Sequence, residues 1–149
     1  AEALVKGKNR LDVVFDFYES TDIEGMFLLG DFGVKEERIA ALPKTLTYGD
    51  LCEQGLPCFG GKIKLFADLP NGRYIAKLNE MDCALVKMNG EPIVFPPYRC
   101  EFSVENGRVE IELTMTRNNT FAAWFENGKR QNLKRQGLLQ PIGIYSVKE

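Results

Sequence analysis

Apolar and polar side chains alternate with a period of two through most of this chain. Leu11, Val13, Phe15 and Phe17 alternate with Asp12, Val14, Asp16 and Tyr18, and residues 62–67 (KIKLFA) and 73–78 (RYIAKL) repeat the pattern around Pro70-Asn-Gly72. Cys100, Phe102 and Val104 alternate with polar residues up to Asn106-Gly107, and Val109, Ile111, Leu113 and Met115 alternate beyond it. Successive side chains of a strand point to opposite faces, so each run predicts a half-buried β-strand. The odd-numbered residues of 11–17 and 109–115 are expected in the core. Residues 25–30 (GMFLLG) form a short apolar run bounded by glycines, which predicts a buried central strand. Residues 83–88 and 92–95 complete a further pair. Strands recurring this regularly, with turn signals between them, predict an all-β, antiparallel β-sandwich of jelly-roll type.

Asn-Gly dipeptides at Asn71, Asn89, Asn106 and Asn127 punctuate the runs. Asn89-Gly90 suits a tight I′ turn, which requires two positive-φ positions, and Pro96-Pro97 removes two ladder donors, so the returning strand must stop or lie at a sheet edge. Two hairpins are expected side by side, one around Asn89-Gly90 and one around Asn106-Gly107. Helix is scarce: residues 34–42 (VKEERIAAL) predict two turns, and 50–54 one turn capped by Asp50 and stopped by Gly55.

At 149 residues the chain is expected to be a single domain, 1–149, burying about two-thirds of its unfolded surface. A composition of 44% hydrophobic and 27% charged residues describes a packed chain. A net charge of −2 with both signs interspersed offers no basic stripe for phosphates, which argues against nucleic acid. Lys129, Arg130, Lys134 and Arg135 read as a solvated face. No apolar run approaches the ~18 residues of a membrane span, so no membrane partner is expected. Cys52, Cys58, Cys83 and Cys100, with no histidine in the chain, match no zinc pattern, and no metal or cofactor is expected. Cys83 and Cys100 fall in strand positions and read as small core hydrophobes, and four reduced thiols fit a cytoplasmic setting. Because Val5, Gly7 and Asn9 lead straight into the first alternating run, the chain reads as a segment of a larger multidomain polypeptide.

Lack of histidine removes the usual general base and the partner of a serine or cysteine nucleophile. The remaining catalytic route is a carboxylate pair of the glycosidase type, for which Asp22, Glu24 and Asp31 are the candidates; all three also suit turns and strand ends. No catalytic residue is assigned. Sugar recognition combines an aromatic platform with amides and guanidinium groups. The sole tryptophan, Trp124, follows Arg117, Asn118 and Asn119, which makes these four residues candidate carbohydrate ligands; the alternative is that Phe121, Trp124 and Phe125 plug the open end of the sandwich. Tyr98 and Arg99, held on a rigid backbone after two prolines, are the other candidates. They could face a ligand or a neighbouring catalytic domain, or pack at the sheet edge with Arg99 in a local ion pair.

Residues 86–90 (VKMNG), 96–99 (PPYR), 109–113 (VEIEL) and 116–119 (TRNN), with Gly7-Lys8-Asn9, 24–33 (EGMFLLGDFG) and 55–61 (GLPCFGG), resemble the galactose-binding-like β-sandwich modules of large glycoside hydrolases, in the style of α-L-rhamnosidases and of the sugar-binding domain of family-two enzymes. The resemblance implies a non-catalytic accessory module that packs on the catalytic domain of its parent chain, with carbohydrate as a further partner. Ligand-binding carbohydrate module and independent glycosidase are the alternatives. Where the family shows Gly-Pro-His after the asparagine, this chain has Ala122-Ala-Trp124.

Overall fold

The alternating runs between residues 62 and 115 fold as antiparallel strands of two sheets that share one apolar core. The computed structural model describes residues 5–21, 28–36, 38–121, 125–126, 129–130 and 133–147. Along the chain the elements are β1 (Gly33–Lys35), β2 (Arg38–Ala40), β3 (Lys62–Asp68), β4 (Gly72–Lys77), β5 (Met81–Asp82), β6 (Leu85–Met88), β7 (Glu91–Ile93), β8 (Arg99–Val104), β9 (Arg108–Thr114), the single helical turn α1 (Asn118–Phe121), β10 (Phe125–Glu126), β11 (Lys129–Arg130), β12 (Gly137–Leu138) and β13 (Gly143–Ser146). The chain divides into two compact units, Ala1–Asp31 and Phe32–Glu149. Among the described residues every strand lies in the second.

The larger sheet has the order β3-β9-β6-β7 and the smaller one β13-β4-β8. Pleating sends Val109, Ile111 and Leu113 of β9, Val86 and Met88 of β6 and Ile93 of β7 to the inner face of the first, where all are buried. Ala76, Phe102 and Val104 come to the same core from the second sheet, with the rings of Tyr74 and Phe102 stacked across β4 and β8 at 5.7 Å. Met115 is buried too, so the expected inward face of 109–115 is observed. Cys83 and Cys100 are half-buried, pack against this core and are free thiols, as small hydrophobes would be. The outer face of the larger sheet is charged: Lys62 pairs with Glu112 at 3.2 Å, Lys64 with Glu110 at 2.8 Å, and the Arg108 guanidinium covers the Phe66 ring at 4.0 Å.

Asn89 and Gly90 both have positive φ, 47° and 90°, the geometry a two-residue hairpin needs between β6 and β7. The Asn89 side chain also ties the sheets together, because its amide nitrogen donates to Ser103 O of β8 at 3.0 Å while its oxygen accepts Glu110 N–H of β9 at 2.9 Å. Nothing lies within 4 Å of the place a Gly90 Cβ would occupy, so a side chain there meets only backbone strain. Gly90→Val is therefore expected to lower the unfolding free energy by about 1–3 kcal/mol with no change in the fold, measured by urea denaturation and far-ultraviolet circular dichroism.

Four expectations are corrected. Asn106-Gly107 does not close a hairpin: β8 pairs with β4 and β9 with β3 and β6, so the turn carries the chain from one sheet to the other. Gly107, at φ 68°, is held there by its N–H to the Asn71 side chain and its carbonyl to Leu69 N–H. The described residues of 34–42 form no helix, since Val34 and Ile39 face each other in the β1–β2 hairpin and Val34 N–H donates to Gly55 O at 2.8 Å. Residues 11–17 form no strand, and Leu11 and Phe17 are 78% and 70% exposed. A period of two buries a face only where a neighbouring strand completes the ladder, and none of the described residues does so for this run. Leu28 and Leu29 of the expected central strand are likewise exposed and outside any strand; residues 25–27 lie outside the described residues. The turn at 50–54 is present as expected, with Gln54 N–H donating to Asp50 O, Cys52 N–H to the Asp50 carboxylate, and Gly55 at φ 91°.

Candidate functional site

Two places in the second unit combine accessible surface with an unusual set of side chains. The first follows from Pro96-Pro97. Because proline cannot donate to a ladder, β7 ends at Ile93, and residues 94–98 turn tightly with Tyr98 N–H donating to Phe95 O at 2.7 Å. Tyr98 takes φ 51°, a conformation uncommon for an aromatic residue, and its carbonyl accepts Leu78 N–H, anchoring the turn to the end of β4. The result is a pair of presented rings, with Phe95 77% and Tyr98 37% exposed. Arg99 beside them is exposed and makes no ion pair with any described residue, so the expected local ion pair is not observed.

The second is an apolar cavity of about 310 Å³ at the β3 edge of the larger sheet. Ile63, Leu65, Ile111 and Leu113 form one wall; Leu46, Tyr48, Leu51 and Leu138 form the other. The loop that closes it is positioned by Asp50, whose carboxylate accepts the N–H groups of both Cys52 and Gln136, while Gly49 N–H donates to Leu138 O. Sequence reading found the Asp50 cap but not the cavity, because its second wall joins residues 46–51 to Leu138, and the bond that fastens the two runs together, Gln136 N–H to the Asp50 carboxylate, spans 86 positions.

Behind that loop lies the Asn119 cluster. Asn119 is 1% exposed, and its side chain donates to Lys134 O at 2.6 Å and accepts Lys134 N–H at 3.0 Å, satisfying both backbone groups of one residue. Its nitrogen also approaches Cys52 Sγ at 3.4 Å. Gln136, 2% exposed, donates to Leu56 O at 2.9 Å, and its side-chain oxygen has no hydrogen-bond partner among the described residues. Burial, reinforced by the neighbouring Asp50 carboxylate, pushes the Cys52 thiol up to about 12, and burial with the Asp82 charge pushes Cys83 up to about 11. A thiol held protonated is neither nucleophile nor metal ligand at neutral pH. At pH 8 iodoacetamide is accordingly expected to modify the exposed Cys58 much faster than Cys52, read by peptide mass spectrometry; equal rates would contradict the buried environment. The sign for stability follows. A pKa raised on folding leaves stability unchanged below the unfolded thiol value near 9 and lowers it as pH climbs toward 12.

Of the candidate sugar ligands, Asn119 is thus occupied by Lys134, while Arg117 and Asn118 are exposed at the start of α1. Trp124 lies outside the described residues, so its position relative to them is not assigned. Of the candidate carboxylates, Asp22 and Glu24 also lie outside, and Asp31 is exposed in the first unit. Arg135 of the basic run pairs with Glu80 at 2.7 Å. Among the described residues no cluster of histidine, cysteine and carboxylate groups could hold a metal ion, and no helix is long and apolar enough to cross a membrane.

No family model, curated protein or solved structure matches this chain.

Proposed function

We propose that the chain is a non-catalytic, galactose-binding-like module of jelly-roll type within a larger glycoside hydrolase, where it packs on and supports the catalytic domain. The observation that carries this reading is the placement of the segments on which the family resemblance rests. Residues 86–90 are an inner strand of the larger sheet and its tight turn, 96–99 a break that starts the opposite sheet, and 109–113 the other inner strand of the larger sheet. In these three segments the local structure is the one their residue types demand. The polar residues nearest the core support the same reading, since Asn89, Asn119 and Gln136 bind backbone groups. The test is the open reading frame around this segment: a glycoside hydrolase catalytic domain in the same polypeptide is expected, and a parent chain encoding no such domain overturns the proposal.

A carbohydrate-binding role is the second reading, favoured by the presented Phe95 and Tyr98 rings beside Arg99. A pyranose stacks its C–H face on such a ring while a guanidinium takes its hydroxyls. Isothermal titration with rhamnose, galactose and glucuronate separates the two. Micromolar binding abolished by Tyr98→Ala supports the second reading, binding abolished by Trp124→Ala moves the site to residues 117–124, and hydrolysis of aryl glycosides by this chain alone overturns both readings.

A further inference from the structure

The open edge of the larger sheet is self-complementary. β3 pairs with β9 on one side, and no described backbone group hydrogen-bonds to it on the other. Which groups remain open follows from the bonds flanking the ladder. Met115 N–H donates to Gly61 O and Leu69 N–H to Gly107 O, so the odd-numbered residues of β3 turn their amides toward β9. Lys62, Lys64, Phe66 and Asp68 turn theirs outward. A row of donors and acceptors with no partner among the described residues, on a seven-residue strand, is a template for another strand.

We propose that a second copy of this chain occupies that edge, β3 against β3, antiparallel about a two-fold axis through Leu65. The register is selected by the side chains. With the axis at Leu65 the whole strand overlaps, Lys62 faces Asp68 of the second copy and Lys64 faces Phe66, while on the inner face Ile63 meets Ala67 and Leu65 meets Leu65. Moving the axis to Lys64 sets two ammonium groups opposite each other. Moving it to Phe66 leaves Lys62 beyond the ladder. Lysines on an edge often repel a partner strand, but here Lys62 and Lys64 already carry Glu112 and Glu110 as counter-charges. Asp68 is exposed and has no ion-pair partner among the described residues, so it is available to Lys62 of the second copy. The apolar cavity opens beside this same edge, with Ile63, Leu65, Phe66 and Ala67 in its lining. The inner-face residues of a second β3 extend the apolar layer across its mouth, so one contact satisfies the ladder and covers the cavity.

Sedimentation equilibrium of the 149-residue chain across the micromolar range tests this directly. A reversible dimer is expected; a monomer at every concentration overturns the proposal. Asp68→Lys places like charges opposite each other at both ends of the ladder and is expected to raise the dimer dissociation constant about tenfold or more. Leu65→Cys, in a Cys58→Ser background that removes the exposed native thiol, is expected to form an intermolecular disulfide with oxidised glutathione, because a non-hydrogen-bonded antiparallel pair brings the Cα atoms to about 4.5 Å. A dimer indifferent to Asp68→Lys, or one that Leu65→Cys does not cross-link, uses another surface and also overturns the proposal.

Discussion

Met88→Ala is expected to lower the unfolding free energy by about 3 kcal/mol, within the 2–5 kcal/mol range of large-to-alanine core truncations. Met88 is the largest of the fully buried side chains and stands on β6 opposite Ile111 of β9, in the middle of the layer the two sheets share. Truncation there removes the transfer energy of the lost groups and leaves a void that strands held in ladders on both sides cannot close. Met88→Leu keeps the volume and is expected to cost less than about 1.5 kcal/mol. Urea denaturation of the two variants beside the parent checks both numbers. Equal, small losses would mean that Met88 is not enclosed by both sheets.

Asn119→Ala is the second large effect, again about 3 kcal/mol, and it separates a structural role from a ligand-binding one. The amide of Asn119 satisfies the N–H and the carbonyl of Lys134, and removing it strands both groups in a part-buried position, at about 1–3 kcal/mol for each. Asn119→Asp is informative because it keeps shape and one acceptor. Its second oxygen then faces the Lys134 carbonyl, where the native nitrogen donates at 2.6 Å, so this variant is also expected to be destabilised. Chemical denaturation read beside sugar titration decides the matter. A variant with parental stability that has lost sugar binding would assign Asn119 to a recognition surface.

The inner residues of β9 and β8 were legible because strand burial has a period of two and both strands have partners that complete it. Residues 11–17 carry the same period without such a partner among the described residues, which is why pattern alone misplaced them. Asn106-Gly107 announced a turn correctly, but a dipeptide specifies local φ and ψ and not whether the next strand returns in the same sheet. That choice was made by Asn71 and Leu69, which capture Gly107 from another part of the chain. Residues 34–42 have helical residue types, yet the Val34 bond to Gly55 O and the cross-strand contact with Ile39 outweigh a weak local preference. At the candidate site, residue type offered Asn119 as a sugar ligand, whereas the groups its side chain binds are those of Lys134, fifteen positions on, and only the fold brings them together. The cavity was illegible for the same reason.

The β8 and β9 runs belong to opposite sheets around one core. Interstrand Hα–Hα nuclear Overhauser contacts in the labelled protein test this arrangement. Non-hydrogen-bonded antiparallel pairs bring these protons together, so contacts are expected between Ile75 and Glu101 across β4 and β8, and between Lys64 and Glu112 across β3 and β9. Contacts linking Glu101 to residues 110–113, as a simple hairpin around Asn106-Gly107 would give, would contradict the placement of β8 and β9 in opposite sheets.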